Sequence, residues 1–379
     1  MMGEVAAESV RAGLPRLELA WEDVESVKRA CAAFREVYAR LRSEIGKIIV
    51  GQDAVVDETL TALFADGHVL LEGVPGLGKT LLVRTLGRAL TLPFSRIQFT
   101  PDVMPADITG TSVVVEDQES GRRTFSFRPG PIFSQLVLAD EINRASPKSQ
   151  AALLEAMQER SVSIGGETRA LALPFFVLAT QNPIEQEGTY PLPEAQLDRF
   201  FFKIAVPYTT RGEMNEIVGR TTRDVEASVE PIVDGAYIVQ AQRLGRRIIV
   251  AEHVQDYAIR LVLATHPGGA HADGAVAKYI ATGVSPRGVQ AVICAAKIGA
   301  LTDGRYAAAF SDVEAAVRPA LRHRIIRSFE AEADGVTTDD IIDRLIVAVP
   351  RDAGETSKRQ NVKTSELQDV KAAKWEGRS

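Results

Sequence analysis

A short run of glycines, a lysine and a threonine matches the phosphate-binding pattern G-x-x-x-x-G-K-[ST]. It consists of Gly73, Val74, Pro75, Gly76, Leu77, Gly78, Lys79 and Thr80. The glycines let the backbone curl so that its N–H groups point at a polyphosphate, while Lys79 reaches the outer phosphates and the Thr80 hydroxyl ligates Mg²⁺. An apolar run precedes the loop and a helical stretch follows it, which adds the partial positive charge of a helix N-terminus. The run therefore predicts a site for a nucleoside triphosphate with Mg²⁺.

Two adjacent carboxylates follow a second apolar segment. Residues 136–139 are Leu-Val-Leu-Ala and lead directly into Asp140 and Glu141. At a strand tip beside the phosphates, Asp140 would hold Mg²⁺ through water and Glu141 would polarise the attacking water. Taken alone, the pair is equally compatible with an ordinary turn. Behind a phosphate loop at this distance, it favours hydrolysis over nucleotide storage.

An amide lies at the end of the next apolar segment. Residues 175–180 run into Gln181, Asn182 and Pro183. Asn182 could orient the water or sense the γ-phosphate, whereas the alternative is an Asx turn before proline. The neighbouring candidate residues favour the functional interpretation.

Two arginines could supply positive charge to a transition state. Arg199 follows Asp198 and could pair locally with it, or it could extend across a subunit boundary to a neighbour's nucleotide. Ser285 and Pro286 are typical of a helix start, which would fix Arg287 in the first turn of a helix, within reach of the γ-phosphate. This tripeptide is a weak signal on its own.

Short apolar runs alternate with helical segments between residues 48 and 206, which predicts an α/β fold with a mainly parallel sheet. The five expected strands are 69–72, 96–99, 136–139, 175–180 and 200–206. Ligand sites in such sheets lie beyond the carboxyl ends of the strands, which is where the candidate polar residues fall. Two hairpins should interrupt the alternation, one with arms 111–115 and 124–128 and one turning at Gly165 and Gly166.

The remaining segments suggest the domain organisation. Residues 1–40 form an N-terminal extension with an amphipathic helix, 41–210 the nucleotide-binding core and 211–245 a linker. Residues 246–350 are predicted to be a small helical domain, with helices at 254–265, 287–301, 312–328 and 338–347. Residues 351–379 are polar and are predicted to be disordered or to fold on a partner.

Composition and charge exclude several other classes of protein. The 379 residues are 45% apolar and 25% charged, which is ordinary for a soluble globular protein. A net charge of −6 argues against constitutive binding to nucleic acid. No apolar run approaches the length of a membrane span, and the N-terminus carries acids and arginines without an apolar stretch, so no signal peptide is expected. With Cys31 and Cys294 far apart in sequence, a cytoplasmic location is expected.

These motifs together resemble those of the AAA+ ATPases, and specifically the MoxR family. The residues that carry the resemblance are the phosphate loop, LADEINR at 138–144, ATQNP at 179–183, YPLPEAQLDRF at 190–200 and SPR at 285–287. The likeness extends over about residues 40–350 and implies a P-loop three-layer sandwich with a five-stranded sheet, two hairpin insertions and a small all-α lid domain. The two hairpins match the helix-2 and pre-sensor insertions of that clade.

The resemblance also implies roles and partners. It makes Asn182 the first sensor, Arg199 the trans-acting finger and Arg287 the second sensor, and it places Val50 and Gly51 near the adenine. It implies a homo-oligomer, a hexameric ring with ATP at the subunit interfaces. Family members act as chaperone-like ATPases on a protein client or metalloprotein complex, usually with a partner that carries a von Willebrand factor A domain.

Four functions can be weighed on these observations. The leading hypothesis is a Mg²⁺-dependent ATPase that remodels a protein client. A nucleic-acid motor is the second, but the expected tips of the hairpins lack the net positive charge that would grip phosphates. The third is the ATPase subunit of a metal chelatase, whose metal chemistry would reside in its partner. A non-hydrolysing scaffold is the fourth, and it conflicts with the presence of both Glu141 and Arg199.

Overall fold

The computed structural model describes residues 14–17, 23–116, 123–183, 188–222, 228–269, 271–272 and 274–352. They divide into two compact units. The first comprises the described residues before Ile249 together with Ile298–Tyr306, and the second comprises Ile249–Lys297 and the described residues from Ala307 on.

The first unit contains both strands and helices. Its strands are β1 (Val69–Glu72), β2 (Phe94–Gln98), β3 (Gly110–Glu116), β4 (Arg123–Pro129), β5 (Leu136–Asp140), β6 (Ser161–Ile164), β7 (Glu167–Ala170), β8 (Phe176–Gln181) and β9 (Phe202–Ala205). Its helices are α1 (Val24–Gly46), α2 (Asp53–Phe64), α3 (Lys79–Ala89), α4 (Pro105–Thr109), α5 (Pro147–Glu159), α6 (Glu194–Leu197), α7 (Arg211–Thr221) and α8 (Gly235–Arg247).

Five of these strands form one parallel sheet in the order β2–β5–β8–β1–β9. Every residue of β5 is buried, and so are all but the last of β8. Strands covered on both faces are continuous apolar runs, which is why the sequence marks them clearly. The expected parallel sheet of five strands is confirmed, with strand ends that differ from expectation by one or two residues.

The two hairpins project from this unit as antiparallel pairs. Strands β3 and β4 pair from Gly110 opposite Pro129 to Glu116 opposite Arg123. Strands β6 and β7 turn at Gly165 and Gly166, whose φ angles are 60° and 85°. A two-residue turn with two positive φ angles matches the right-handed twist of its strands, and glycine adopts it without strain. The predicted hairpins are confirmed, although the tip of the first lies outside the described residues.

Helix α1 has the apolar stripe that its sequence predicts. Cys31, Phe34, Leu41 and Ile45 are all buried along one face. The helix begins at Asp23, whose carboxylate accepts hydrogen bonds from the backbone N–H groups of the first turn. The helix continues past residue 40, where the sequence suggests that the N-terminal extension ends and the nucleotide-binding core begins.

The segment 211–245, expected as a linker, contains helices α7 and α8. Helix α8 buries Tyr237, Ile238, Ala241 and Leu244 and lies within the first unit. These residues recur at helical spacing, so the segment can pack as an amphipathic helix. Charged residues on its other face make this pattern difficult to distinguish from a linker in the sequence.

Helices dominate the second unit, as the sequence predicts. They are α9 (Glu252–Leu263), α10 (Gly274–Ala277), α11 (Pro286–Thr302, whose last turn belongs to the first unit), α12 (Phe310–Leu321), α13 (Phe329–Ala333) and α14 (Thr338–Ala348). Two short sheets accompany them, β10 (Ile249–Val250) with β12 (Ala307–Ala308), and β11 (Ile280–Thr282) with β13 (Ile326–Arg327). The predicted helix 312–328 is therefore too long, because its last residues turn away to pair with β11.

None of the helices in the described part of the chain is long and apolar enough to cross a membrane.

Candidate nucleotide-binding site

The phosphate loop connects β1 to α3, as the sequence predicts. Gly76 and Gly78 have φ angles of 87° and 77°, and a side chain would be strained at either position. The loop is braced from α2, since the Gln52 side chain donates a hydrogen bond of 2.8 Å to the carbonyl of Leu77. Helix α3 then begins at Lys79, so its free N–H groups face the loop.

The ammonium group of Lys79 lies inside the curl of the loop. It donates hydrogen bonds to the carbonyl oxygens of Gly73, at 2.5 Å, and Val74, at 3.2 Å. These contacts hold the charge at the loop, next to the N-terminus of α3. Both the ammonium group and the helix terminus attract a polyphosphate.

Two threonines flank the Asp140 carboxylate at the carboxyl end of β5. Thr180, from β8, donates a hydrogen bond of 2.6 Å to Oδ1 of Asp140. The hydroxyl of Thr80 lies 3.5 Å from Oδ2. A hydroxyl and a carboxylate oxygen at this separation form a hard-oxygen donor set beside the phosphate loop, and this is the chemistry that Mg²⁺ requires. The residues present therefore fit the metal that the sequence predicts.

Glu141 directly follows the strand in a left-handed conformation, with φ of 58°. Its backbone N–H donates to the Thr180 hydroxyl at 2.8 Å. One oxygen of its carboxylate accepts hydrogen bonds from the Gln98 amide at 2.9 Å and from the Arg144 guanidinium at 3.0 Å. Left-handed backbone is uncommon for a residue with a side chain and clusters at functional sites.

Asn182 lies immediately after β8, the strand between β1 and β5. It is buried, with 6% of its surface exposed. The side-chain Nδ2 of Asn143 donates to the backbone carbonyl of Asn182 at 3.5 Å, and Oδ1 of Asn143 is buried without a hydrogen-bond partner among the described residues. The sheet order therefore brings Asn182 to the same edge as Asp140 and Glu141.

Arg199 lies in the turn between α6 and β9 and is half-buried. Among the described residues it forms no ion pair with Asp198 or Glu194, and its Nε atom is buried without a hydrogen-bond partner. Local pairing, the simplest alternative, is therefore not observed in the described part of the chain.

Val50 and Gly51 lie between α1 and α2. Val50 is buried, and Gly51 has a φ angle of 71°. A side chain on Gly51 would collide with the side chain of Glu213 from α7. The left-handed φ and the close approach together require glycine at this position.

Arg287 belongs to the second unit, where it is the second residue of α11 and is exposed. Its backbone N–H donates to the Ser285 hydroxyl at 3.2 Å, and Pro286 is the first residue of the helix. The helix start that the sequence predicts is thus formed by these residues.

The sequence interpretation gave no role to several residues of the cluster, among them Arg96, Gln98, Arg144 and Thr180. Arg96 and Gln98 lie on β2 two positions apart, so they share one face of the strand. The polar alternation in this strand was a signal that could have indicated them. Only the strand order, which sets β2 beside β5, reveals that this face meets the acidic pair.

Comparison with known proteins agrees with this fold. Residues 68–202 match the model of the ATPase family associated with various cellular activities (AAA), and residues 272–345 match the AAA lid domain. The chain is 44% identical over 310 residues to Chaperone MoxR1 of Mycobacterium tuberculosis, covering 81% of each protein. It is 41% identical to YeaC of Bacillus subtilis, an uncharacterized protein, over 80% of this chain and 92% of that one.

A crystal structure of a candidate ATPase from Cytophaga hutchinsonii is also similar, at 38% identity and a TM-score of 0.79. The match covers 86% of this chain and 98% of that one. An AAA domain with a parallel five-stranded sheet, followed by an AAA lid, defines the class as AAA+ ATPases, and within it this chain belongs to the MoxR family.

Proposed function

We propose that this protein is a Mg²⁺-dependent ATPase that remodels a protein client as a ring of identical subunits. The observation that carries the proposal is the convergence of Asp140 and Glu141 with the phosphate loop. The separation of 3.5 Å between the Thr80 hydroxyl and Asp140 supports Mg²⁺ as the metal. The Glu141 carboxylate next to Asp140 supports hydrolysis, because nucleotide binding alone requires no base.

Each residue of the site then has one task. The loop N–H groups and Lys79 hold the phosphates, while Thr80 and Asp140 hold the metal. When bound, Mg²⁺ neutralises charge on the β- and γ-phosphates. Glu141 accepts a proton from the water that attacks the γ-phosphorus, and Asn182 orients that water or senses the γ-phosphate.

The position of Arg199 supports its action on a neighbouring subunit. In the register of the sheet, Phe202 lies opposite Val69 and Ala205 opposite Glu72. The phosphate loop follows the carboxyl end of β1, whereas Arg199 precedes the amino end of β9. Four strand residues span about 13 Å, more than the length of an arginine side chain. We therefore assign Arg199 to the nucleotide of the next subunit in a hexameric ring.

The remaining assignments depend on the family. We infer that Arg287 contacts the γ-phosphate as the second sensor and that Val50 and Gly51 lie near the adenine. The relative from Mycobacterium tuberculosis is named as a chaperone, which supports a protein client in this case too. We further infer a partner with a von Willebrand factor A domain and action in the cytoplasm.

The second hairpin, β6–β7, has little positive charge available for binding nucleic acid. Arg169, the base nearest its tip, lies 4.2 Å from the ring centre of Phe127 and pairs with Glu167. A guanidinium held in this way contributes little net charge to a phosphate-binding surface. This contact favours the protein client over the nucleic-acid motor.

The Glu141→Gln variant tests the proposal. We expect it to bind ATP with an affinity close to that of the wild type, because the amide keeps the size of the side chain. Steady-state hydrolysis should fall by about 10²–10⁴-fold, the usual contribution of a general base. Binding of a fluorescent ATP analogue and phosphate release measure the two properties separately.

Glu155→Gln is the matched control, since Glu155 is exposed on α5. It should hydrolyse ATP at the wild-type rate. If Glu141→Gln also does so, Glu141 is not the base. If neither protein binds the nucleotide, the proposed function itself is wrong.

A further inference from the structure

Arg96 occupies one of the two oxygens of the candidate metal ligand Asp140. Its Nε and Nη2 atoms lie 3.1 Å and 2.7 Å from Oδ2 of that carboxylate. The Asp140 side chain is only 11% exposed, compared with 42% for Arg96. A nearly buried carboxylate thus receives a charge-assisted contact from a residue that does not belong to the phosphate loop or the acidic pair.

The two oxygens of Asp140 have different neighbours. Oδ1 accepts the 2.6 Å hydrogen bond from Thr180, whose hydroxyl in turn accepts the backbone N–H of Glu141. Oδ2 is the oxygen that faces Thr80, at 3.5 Å. It is also the oxygen that Arg96 holds. A divalent cation and a guanidinium at one oxygen repel each other, so each weakens the binding of the other.

Arg96 also reaches the second carboxylate through Gln98. Its Nη2 donates to the side-chain oxygen of Gln98. This bond fixes which end of the amide is the acceptor, so that Nε2 is directed to donate to Glu141 at 2.9 Å. Asp140, Arg96, Gln98 and Glu141 thus form one continuous series of contacts on the surface of β2 and the end of β5.

We propose that Arg96 is a positioning residue that competes with Mg²⁺ for Asp140. In the nucleotide-free chain it holds Oδ2, and when the metal and nucleotide are bound the guanidinium gives up this oxygen. The inference rests on the proposed function, since it concerns the same metal.

An Arg96→Gln variant distinguishes two possibilities, that Arg96 competes with Mg²⁺ and that it helps to bind Mg²⁺, because they predict opposite results. If Arg96 competes with the metal, its loss makes Mg²⁺ and nucleotide bind more cooperatively. The quantity to measure is the affinity for a fluorescent, non-hydrolysable ATP analogue with saturating Mg²⁺, divided by its affinity in EDTA. We expect this ratio to rise about 5- to 10-fold over the wild type, in the range of ordinary coupling between ligands.

Two further variants complete the experiment. Arg96→Lys keeps the charge but loses the forked geometry, so its ratio should lie between those of the other two proteins. It also provides a second measurement if Arg96→Gln does not fold. Arg88→Gln is the matched control, because Arg88 is exposed in the last turn of α3, and its ratio should equal that of the wild type.

An unchanged ratio in both Arg96 variants would overturn the inference, and a lower ratio would show instead that Arg96 helps to bind the metal. Because the readout is binding, these outcomes leave the proposed hydrolysis intact. If the wild type itself fails to bind the analogue, the proposed function fails and not only the role of Arg96.

Discussion

The two ends of the parallel sheet carry polar groups of different kinds. At the carboxyl end, the Asp140 carboxylate contacts Thr180 and Arg96 and faces Thr80. At the amino end, His68 precedes β1 and its imidazole is buried. Its Nδ1 accepts the backbone N–H of Val177 at 3.1 Å, and its Nε2 lies 3.2 Å from the carbonyl of Met157.

The amino end also contains a polar atom that has no partner among the described residues. The backbone N–H of Phe201 donates to the carbonyl of His68 at 2.8 Å, which ties the segment after Arg199 to the start of β1. The Nε atom of Arg199 nevertheless forms no hydrogen bond within the part of the chain that the structure describes. His68 and Arg199 thus lie at the same end of the sheet but differ in hydrogen bonding: both ring nitrogens of His68 have partners, and the Nε atom of Arg199 has none among the described residues.

This difference indicates how buried polar groups can be interpreted. His68 has both of its hydrogen bonds within the chain, so its role is to stabilise the fold. The buried Nε atom of Arg199 lacks a hydrogen bond to any described residue, so we expect its partner to come from another molecule. The carboxyl end of the sheet lies between these two cases. Its hydrogen bonds are formed within the chain, as those of His68 are, but they join charged groups that a bound nucleotide and metal would rearrange.

Removal of the Arg199 guanidinium should have the largest effect. We expect Arg199→Ala to lower the turnover of ATP by about 10³–10⁵-fold, as measured for other arginines that act across subunits. ATP binding should change little, because the phosphate loop is unaltered. Phosphate release and analogue binding measure the two effects.

Mixed rings sharpen this prediction. A mixture of Arg199→Ala and Glu141→Gln subunits should regain activity, since a site with an intact base can then adjoin an intact guanidinium. A mixture of Lys79→Ala and Glu141→Gln, both altered in the same half of the site, should not. If the first mixture is no more active than its components, Arg199 does not act in trans.

Acid should destabilise the protein through His68. Burial lowers the pKa of this imidazole from 6.5 to about 4. Because the folded pKa is the lower one, the unfolded chain binds more protons below pH 6.5, and stability is lost as the pH falls. The loss should reach about 1 kcal/mol between pH 7.5 and 5.5, and about 3 kcal/mol by pH 4. Urea denaturation at a series of pH values measures it.

The His68→Gln variant separates this contribution from those of other groups. It should be less stable at neutral pH, and its stability should vary less with pH over the same interval. ATP turnover per folded molecule should be preserved, in contrast to the arginine variant. A steep pH dependence in the variant would assign the acid sensitivity to other side chains.

The fold and the carboxyl end were largely predictable from the sequence. Strands buried on both faces are apolar runs, and the phosphate loop is a contiguous pattern whose glycines have to adopt positive φ angles. Asp140 and Glu141 were found because they follow such a strand. These signals are local, so no knowledge of strand order was needed to find them.

The contacts of Arg96 and the surroundings of His68 were not predictable in this way. Both depend on strands that are distant in sequence and adjacent in the sheet, β2 beside β5 and β1 beside β8. Helix α8 was missed for a different reason, since its apolar residues recur at helical spacing but the charged residues on its other face resemble those of a linker. Local patterns therefore identified the reacting groups but not the residues that hold them.

The Thr180 hydroxyl offers the finest test of the carboxyl end, because it donates to Asp140 and accepts from the backbone of Glu141. Thr180→Val keeps the shape and removes both bonds. We expect a loss of about 1–3 kcal/mol in the free energy of unfolding, since two buried groups lose their partner. Turnover should fall about 10- to 100-fold as the two carboxylates lose their alignment.

Thr59→Val is the appropriate comparison for this variant. Thr59 is equally buried, but its hydroxyl bonds only to the carbonyl of Val55 in its own helix. Its substitution should leave turnover per folded molecule unchanged, whatever its effect on stability. If both valine variants lower turnover equally, the loss reflects general weakening of the fold. If only Thr180→Val lowers turnover, the hydroxyl aligns the acidic pair. Buried hydrogen bonds would then support function at the carboxyl end of the sheet, whereas those of His68 at the amino end only stabilise the fold.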